Sequence, residues 1–191
     1  MPAVRRPERG VPPAMVLHTS DRNLIAAAQV GDLLAFEELA RRHETLVYRV
    51  ALRMLNRPAD AEDATQDVLL LAWQALPRFR SESSFPTWLY RLTTNRCLNV
   101  LRSRHPSEAL AEELAGNQMT DLEVEHALRL EVVKAAVARL TAEQRAPFVL
   151  REFEGLSYAE IAEVLETTVP AIKSRLHRAR GELASALSEW I

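Results

Sequence analysis

The chain has 191 residues and a formal net charge of −2; hydrophobic residues make up 48% of it, aromatic residues 6% and charged residues 26%. This composition can bury a core, which excludes a wholly disordered chain, and the length suits one large domain or two compact ones. No apolar run approaches the ~20 residues of a membrane span, and residues 1–20 lack the apolar core of a signal peptide. We therefore expect a cytoplasmic protein that does not insert into membranes.

Cysteine and histidine usage argues against metal and disulfide chemistry. Cys97 is the only cysteine, so an internal disulfide is impossible, and the five histidines lie far apart in the sequence. Cys97 itself suits a small apolar position inside a helix bundle. We expect no metal and no cofactor.

Apolar residues recur at helical spacing, no strand pattern is present, and the sequence therefore predicts an all-α fold. Residues 1–20 have four prolines and no periodicity, which predicts a disordered tail in which Met15 is an alternative start. The first helix is predicted from Asn23 to about Arg42. A second, packed on it, is predicted after His43, over 46–55.

Two further helices follow. Pro58 precedes Asp60, which is predicted to cap a third helix that runs to about Leu76. A fourth helix is predicted to start after Ser84, with a proline in its first turn, and to run to about Ser103.

The segment 106–121 lacks periodicity and contains Pro, Gly and Asn among acidic residues, which predicts a flexible linker. The sequence therefore predicts two small helical domains: a four-helix domain at 21–105 and a second domain at 122–191.

The second domain carries a helix-turn-helix pattern. Thr141 with Gln144, and Ser157 with Glu160, have the spacing of capping boxes at two helix starts. The helix from Ser157 is followed by a short turn and by a last helix that opens at 168–170, which is typical of helix-turn-helix spacing.

The last helix has an apolar stripe and an opposite polar face. Ile172, Leu176, Ala179 and Leu183 share the stripe at ~100° per residue. The opposite face suits the major groove of DNA, with outer cations on phosphates and central residues near base edges. A solvated basic face on a packed helix is the alternative. The candidate residues are Thr168, Pro170, Ala171, Lys173, Ser174, Arg175, His177 and Arg178, with Arg180 at the edge.

Charge is uneven along the chain. Residues 78–104 carry a net charge of +5, residues 108–166 carry −8, and residues 173–180 carry +4. Two basic segments are therefore separated by an acidic one, and for nucleic-acid binding this distribution matters more than the net charge.

Residues 60–68 read DAEDATQDV, residues 85–92 read FPTWLYRL, residues 95–102 read NRCLNVLR and residues 155–162 read GLSYAEIA. Together with Phe79-Arg80, 140–150 and 169–180, these segments resemble, in order over about 21–188, regions 2 and 4 of the sigma-70 family, in its extracytoplasmic-function (ECF) group. The resemblance implies a minimal two-domain sigma factor that works by binding and not as an enzyme.

The resemblance implies three sites and their partners. One helix face would bind the β′ clamp helices of core RNA polymerase, through Asp60, Asp63, Gln66, Asp67, Leu70 and Trp73. Another would melt and read the −10 promoter element, through Phe79, Arg80, Ser83, Phe85, Trp88, Arg91, Asn95, Asn99 and Arg102. The helix-turn-helix would read the −35 element and lie near the β flap, and an anti-sigma factor would hold the protein inactive.

Alternatives stay open for several of these residues. The acids of 60–67 could act only on the helix dipole, and Trp88 could be a partly buried core residue. Pro170 and Lys173 stand where relatives often carry glycine and arginine, so the −35 preference is open. Two rival functions remain: a conventional helix-turn-helix regulator with a ligand or dimerisation domain, and a helical enzyme or scaffold, for which the chain offers no nucleophile, metal site or phosphate loop.

Overall fold

A computed structural model of the chain describes residues 20–103 and 131–188. Within these ranges the regular structure is helical, without strands, as predicted. The tail up to residue 19, the alternative start at Met15, the linker at 106–121 and the predicted helix start at 122 lie outside the described residues. The α-helices are α1 (Asp21–Gln29), α2 (Leu33–Leu55), α3 (Pro58–Ala75), α4 (Phe85–Ser103), α5 (131–139), α6 (Ala142–Phe148), α7 (Tyr158–Val164) and α8 (Val169–Ser188).

The break between the first two helices lies at Gly31, and the predicted break at His43 is wrong. Gly31 adopts a φ of 97°, a conformation that costs glycine little, and it reverses the chain after α1. The Asp32 carboxylate then accepts a hydrogen bond from the backbone N–H of Ala35 at 3.2 Å and caps α2. Because His43 has no helix-breaking property, α2 continues through it for 23 residues.

The third helix begins three residues earlier than expected, because its N-cap is Arg57 and not Asp60. Pro58 occupies its first turn, where the missing backbone N–H costs nothing, and Arg57 is the N-cap residue. Asp60 lies inside that first turn and not at the N-cap position, where its charge interacts favourably with the positive end of the helix dipole. α3 ends at Ala75, and a 3₁₀ turn at Leu76–Arg78 contains Pro77.

The fourth helix agrees with its prediction. The buried side chains of α1 to α4 form two apolar clusters, one of which continues into the second domain. The Ser84 hydroxyl accepts a hydrogen bond from the backbone N–H of Thr87 at 3.2 Å, at the helix start. Among the described residues, the largest fully buried side chains of this four-helix domain are Leu39, Val47, Val50, Met54, Leu55, Val68, Leu76 and Leu89.

The carboxylate of Glu38 makes the stability of this domain depend on pH. Glu38 is buried in α2 and accepts hydrogen bonds from Arg41 and Arg42, which lower its pKa to about 2 from an ordinary value of 4.5. A lowered pKa means that the ionised carboxylate stabilises the fold above pH 4.5, and that this contribution disappears as the pH falls toward 2.

We therefore expect Glu38→Gln to make the free energy of unfolding fall less steeply between pH 4.5 and 2 than it does in the wild type. Urea unfolding followed by tryptophan fluorescence measures this, with Glu37→Gln at an exposed neighbouring acid as the control. Parallel wild-type and Glu38→Gln curves would contradict the assignment.

Candidate functional site

The outer face of α3 presents polar side chains around an exposed leucine. Asp63 and Gln66 are exposed, and Leu70, one turn further along, is 57% exposed. Leu71 is 43% exposed beside it and was not among the sequence candidates. The run of three leucines at 69–71 was a usable signal, because three successive residues at 100° each cannot all face one core.

The remaining three candidates on α3 contact neighbouring side chains; they are Asp60, Asp67 and Trp73. The Asp60 carboxylate lies 3.5 Å from the Arg57 guanidinium, and Asp67 accepts a hydrogen bond from Arg96 of α4 at 2.8 Å. Trp73 is half-buried, with its ring centroid 5.0 Å from that of Phe36. The face therefore combines an accessible apolar centre with a charged rim, which is the composition of a protein–protein interface.

Four aromatic rings meet where the loop after α3 joins α4. Phe79 packs on Trp88 at 4.9 Å and on Phe85 at 5.9 Å between centroids, and Phe85 also contacts His43 at 5.2 Å. Phe79 and Phe85 are only 9% and 6% exposed, so their rings belong to the apolar core and do not face solvent. Trp88 is half-buried, with one part in this cluster and one part accessible.

The outer face of α4 is polar along its length. Arg91, Asn95, Asn99 and Arg102 are all exposed, at spacings that place them on one side of the helix. The opposite side contributes Leu89, Tyr90, Thr93 and Cys97 to the core. In the adjoining loop Arg80 is exposed and Ser83 is half-buried. Cations, amides and an accessible indole on one surface suit single-stranded bases and their phosphates.

The helix-turn-helix is built as predicted. Thr141 and Gln144 form a capping box at α6, and Ser157 and Glu160 form another at α7. The Ser157 hydroxyl and backbone N–H that bond the Glu160 side chain hold the pKa of Glu160 below its usual value. The turn between α7 and α8 passes through Glu166, whose φ is 49°.

The last helix buries its apolar stripe and exposes its polar face. Ile172, Leu176, Ala179 and Leu183 are buried, as predicted. The candidate residues Thr168, Pro170, Lys173, Ser174, His177 and Arg178 are exposed, and Ala171 and Arg175 are half-buried.

The edge of this face is fixed by contacts inside the domain. Arg180 donates to the Glu152 carboxylate at 2.6 Å, which raises the pKa of this arginine. Arg151 lies over the Tyr158 ring at 4.9 Å, and Lys173 lies 6.0 Å from the same ring. Arg180 is therefore partly neutralised, whereas Arg178 bonds only weakly to its own helix, with Nε 3.5 Å from the Ser174 carbonyl oxygen.

Across the described ranges, 20–103 and 131–188, no three His, Cys, Asp or Glu side chains come together as they would around a metal ion. None of the helices in those ranges has the length and apolar content to cross a bilayer.

Two family models match the two helical domains. Sigma-70 region 2 matches residues 39–106 and Sigma-70, region 4 matches residues 130–183, which together cover more than half of the chain. The chain belongs to the sigma-70 family. It is a transcription initiation regulator of the ECF type, and the four-helix domain and the helix-turn-helix domain are called region 2 and region 4 below.

Curated relatives match over nearly the whole chain. The RNA polymerase sigma-H factor of Pseudomonas aeruginosa is 33% identical over 91% of this chain and 96% of its own length. The ECF RNA polymerase sigma factor SigM of Mycobacterium tuberculosis is 37% identical over 88% of this chain and 85% of its own.

Two solved structures share the fold. CnrH, in complex with the cytosolic domain of CnrY, is 29% identical with a TM-score of 0.68, and covers 88% of this chain and 97% of CnrH. RpoE of Bartonella quintana, in complex with the anti-sigma factor NepR, is 26% identical with a TM-score of 0.62, and covers 80% of this chain and 96% of RpoE.

Proposed function

We propose that this sigma factor divides promoter recognition among three surfaces and catalyses no reaction itself. The outer face of α3 binds the clamp helices of core RNA polymerase, the outer face of α4 with its loop melts and reads the −10 element, and α8 reads the −35 element while region 4 lies near the β flap. The observation that carries the proposal is that these faces are exposed on three different helices, each backed by its own buried stripe.

Each surface has the chemistry that its task needs. Leu70 within a rim of acids suits helix-on-helix contact with another protein. The accessible part of Trp88, with Asn95 and Asn99 alongside, suits stacking and edge recognition of unpaired bases. The cations of α8 suit duplex phosphates and base edges in the major groove.

In this proposal Phe79 and Phe85 form the buried floor of the −10 site. Their rings are buried at the two ends of the 80–84 loop, and we assign them to the floor of a base-binding site whose walls are Arg80, Ser83 and Trp88. A base flipped out of the stack is held in such sites by stacking and by hydrogen bonds to its edge.

We also propose that an anti-sigma factor holds the protein inactive in the cytoplasm. CnrH was solved with the cytosolic domain of CnrY and RpoE with the anti-sigma factor NepR, and both share this fold. A partner retained by this chain in a pull-down from its own cells supports the proposal if the purified partner also blocks transcription in the assay below.

The decisive experiment is run-off transcription with purified core polymerase on a randomised promoter pool, with and without the protein. We expect transcripts from a shared −35 and −10 pair only when the protein is added. No transcript, together with tight binding of the protein alone to duplex DNA, would contradict the sigma function and favour a conventional helix-turn-helix regulator.

A further inference from the structure

The two domains of this sigma factor meet across a buried carboxylate. Glu154 follows α6 and a π-helical segment, Val149–Phe153, and its side chain is fully buried, with 0% exposed. Its carboxylate accepts hydrogen bonds from region 2: one from Arg49 Nε at 2.9 Å, one from Arg53 Nη1 at 2.9 Å and one from the Tyr90 hydroxyl at 3.1 Å. Each of these donors is at least 64 residues away in the sequence.

The contact with Glu154 shifts the pKa values of two side chains that donate to it. Burial, with the nearby charge of Glu154, raises the pKa of Tyr90 to about 12, which keeps its hydroxyl a donor. The hydrogen bond to Glu154 raises the pKa of Arg49. Arg53 also lies over the ring of Phe153 at 4.6 Å, so this arginine holds two successive residues of region 4. Two arginines and a phenol therefore form a receptor for one carboxylate.

Further contacts extend the same interface. Arg145 of α6 is buried and donates to the carbonyl oxygen of Met54 at 2.6 Å, near the C-terminal end of α2, where a cation is favoured. One apolar cluster includes residues of both domains, among them Val50 and Met54 of region 2 and Val149 of region 4. An interface with an apolar centre and satisfied charges is specific rather than a chance encounter.

The interface occupies part of the proposed −10 surface. Arg91 of α4 is paired with Glu166, in the turn that precedes α8, so an acid of region 4 stands where a DNA phosphate would otherwise bind. The −35 and −10 elements are 25 positions apart, or about 85 Å of B-DNA at ~3.4 Å per position. Domains of this size in direct contact cannot place their reading faces that far apart.

We propose that the receptor formed by Arg49, Arg53 and Tyr90 is a docking surface for region 4 of the same chain. The closed arrangement that results is the resting state of the free sigma factor, and Glu154 is its latch. Reading a promoter requires this contact to open. The inhibitory role rests on the proposed function, whereas the docking contact does not.

The test measures the distance between the domains in the full-length chain. Cysteines introduced by Glu37→Cys and Ala184→Cys, both at exposed positions, carry a donor and an acceptor dye, while Cys97 is buried and labels poorly. We expect high transfer in the otherwise wild-type chain. Glu154→Arg places three cations together and should lower the transfer at least twofold. Glu152→Arg makes the same charge change at an acid that pairs within region 4, and should leave the transfer unchanged.

A charge swap separates loss of the latch from misfolding. Adding Arg49→Glu and Arg53→Glu to the Glu154→Arg variant should restore high transfer, which a misfolded chain would not do. Low transfer in the wild type, or high transfer in Glu154→Arg, would overturn the docking contact.

The inhibitory role has its own measurement. The opened Glu154→Arg variant should assemble with core polymerase about tenfold faster than the wild type, in stopped-flow mixing. Equal assembly rates despite lowered transfer would overturn the inhibitory role. Run-off transcription by the wild type is independent of both results, so a failure of the proposed function is distinguishable from a failure of the latch.

Discussion

Replacing Leu70 by aspartate is expected to weaken binding of the sigma factor to core RNA polymerase by about 30-fold or more. Leu70 is a large apolar side chain that is 57% exposed at the centre of the polar α3 face. Central apolar residues of an interface often contribute about 2 kcal/mol or more, which corresponds to roughly 30-fold in affinity. A carboxylate at this position also has to be desolvated without a partner.

The stability of the free protein should change little, because the side chain is already solvent-exposed. Titration of labelled sigma factor with core polymerase measures the affinity, and circular dichroism checks the fold. Leu33→Asp is the matched control: Leu33 is 54% exposed and lies in the first turn of α2. Equal losses for the two variants would contradict the assignment of the polymerase contact to α3.

Local signals in the sequence determined most helix positions. The capping boxes of α6 and α7 and the stripe of α8 were all predicted, because each depends on residues within four positions of one another. The start of α3 is one exception, and the junction of α1 and α2 is the larger one. There the apolar spacing continues across the turn, and the decisive signal was Gly31 followed by Asp32 rather than the pattern of apolar residues.

The exposed faces of the candidate site were also predictable, but the orientation of single aromatic residues was not. Helical periodicity separates Arg91, Asn95 and Asn99 from the core side of α4 without reference to the rest of the fold. Phe79 and Phe85 flank a loop, where periodicity has no meaning. Their burial follows from packing on one another, on Trp88 and on His43 of α2.

The contact between the domains could not be predicted from the sequence. Glu154 lies 105 residues from Arg49, and nothing in its immediate surroundings distinguishes it from the other acids of the 108–166 segment. Its position follows from the local backbone. Pro147 lies in the last turn of α6, and the five residues after that helix wind as a π-helix. The backbone N–H of Glu154 then bonds the Val149 carbonyl oxygen at 3.3 Å. Such π segments often occur at functional positions.

Replacing Arg178 by alanine is expected to reduce transcription from the preferred promoter by about five- to 150-fold and to relax base preference at one −35 position. Arg178 is exposed near the centre of the α8 face, where the proposed geometry directs it toward base edges. An arginine that contacts a base through two hydrogen bonds contributes about 1–3 kcal/mol, most of it as discrimination against the other bases.

Lys173→Ala is expected to lower transcription without changing base preference, because we assign Lys173 to a DNA phosphate and Arg178 to a base. Lys173 lies at the side of the face, so its loss should weaken all promoters alike and lower the slope of log affinity against log salt by about one. Arg180→Ala is the control for charge alone, since Arg180 is already paired with Glu152 at 2.6 Å and should matter less than either.

A promoter library varied over the −35 element and transcribed at two salt concentrations measures both effects. Because all three variants remove one positive charge from the same helix, a difference in base preference cannot arise from net charge. The same preferences for Arg178→Ala and Lys173→Ala would show that both side chains contact phosphates, and that sequence is read by Ser174 and His177 or by the shape of the DNA.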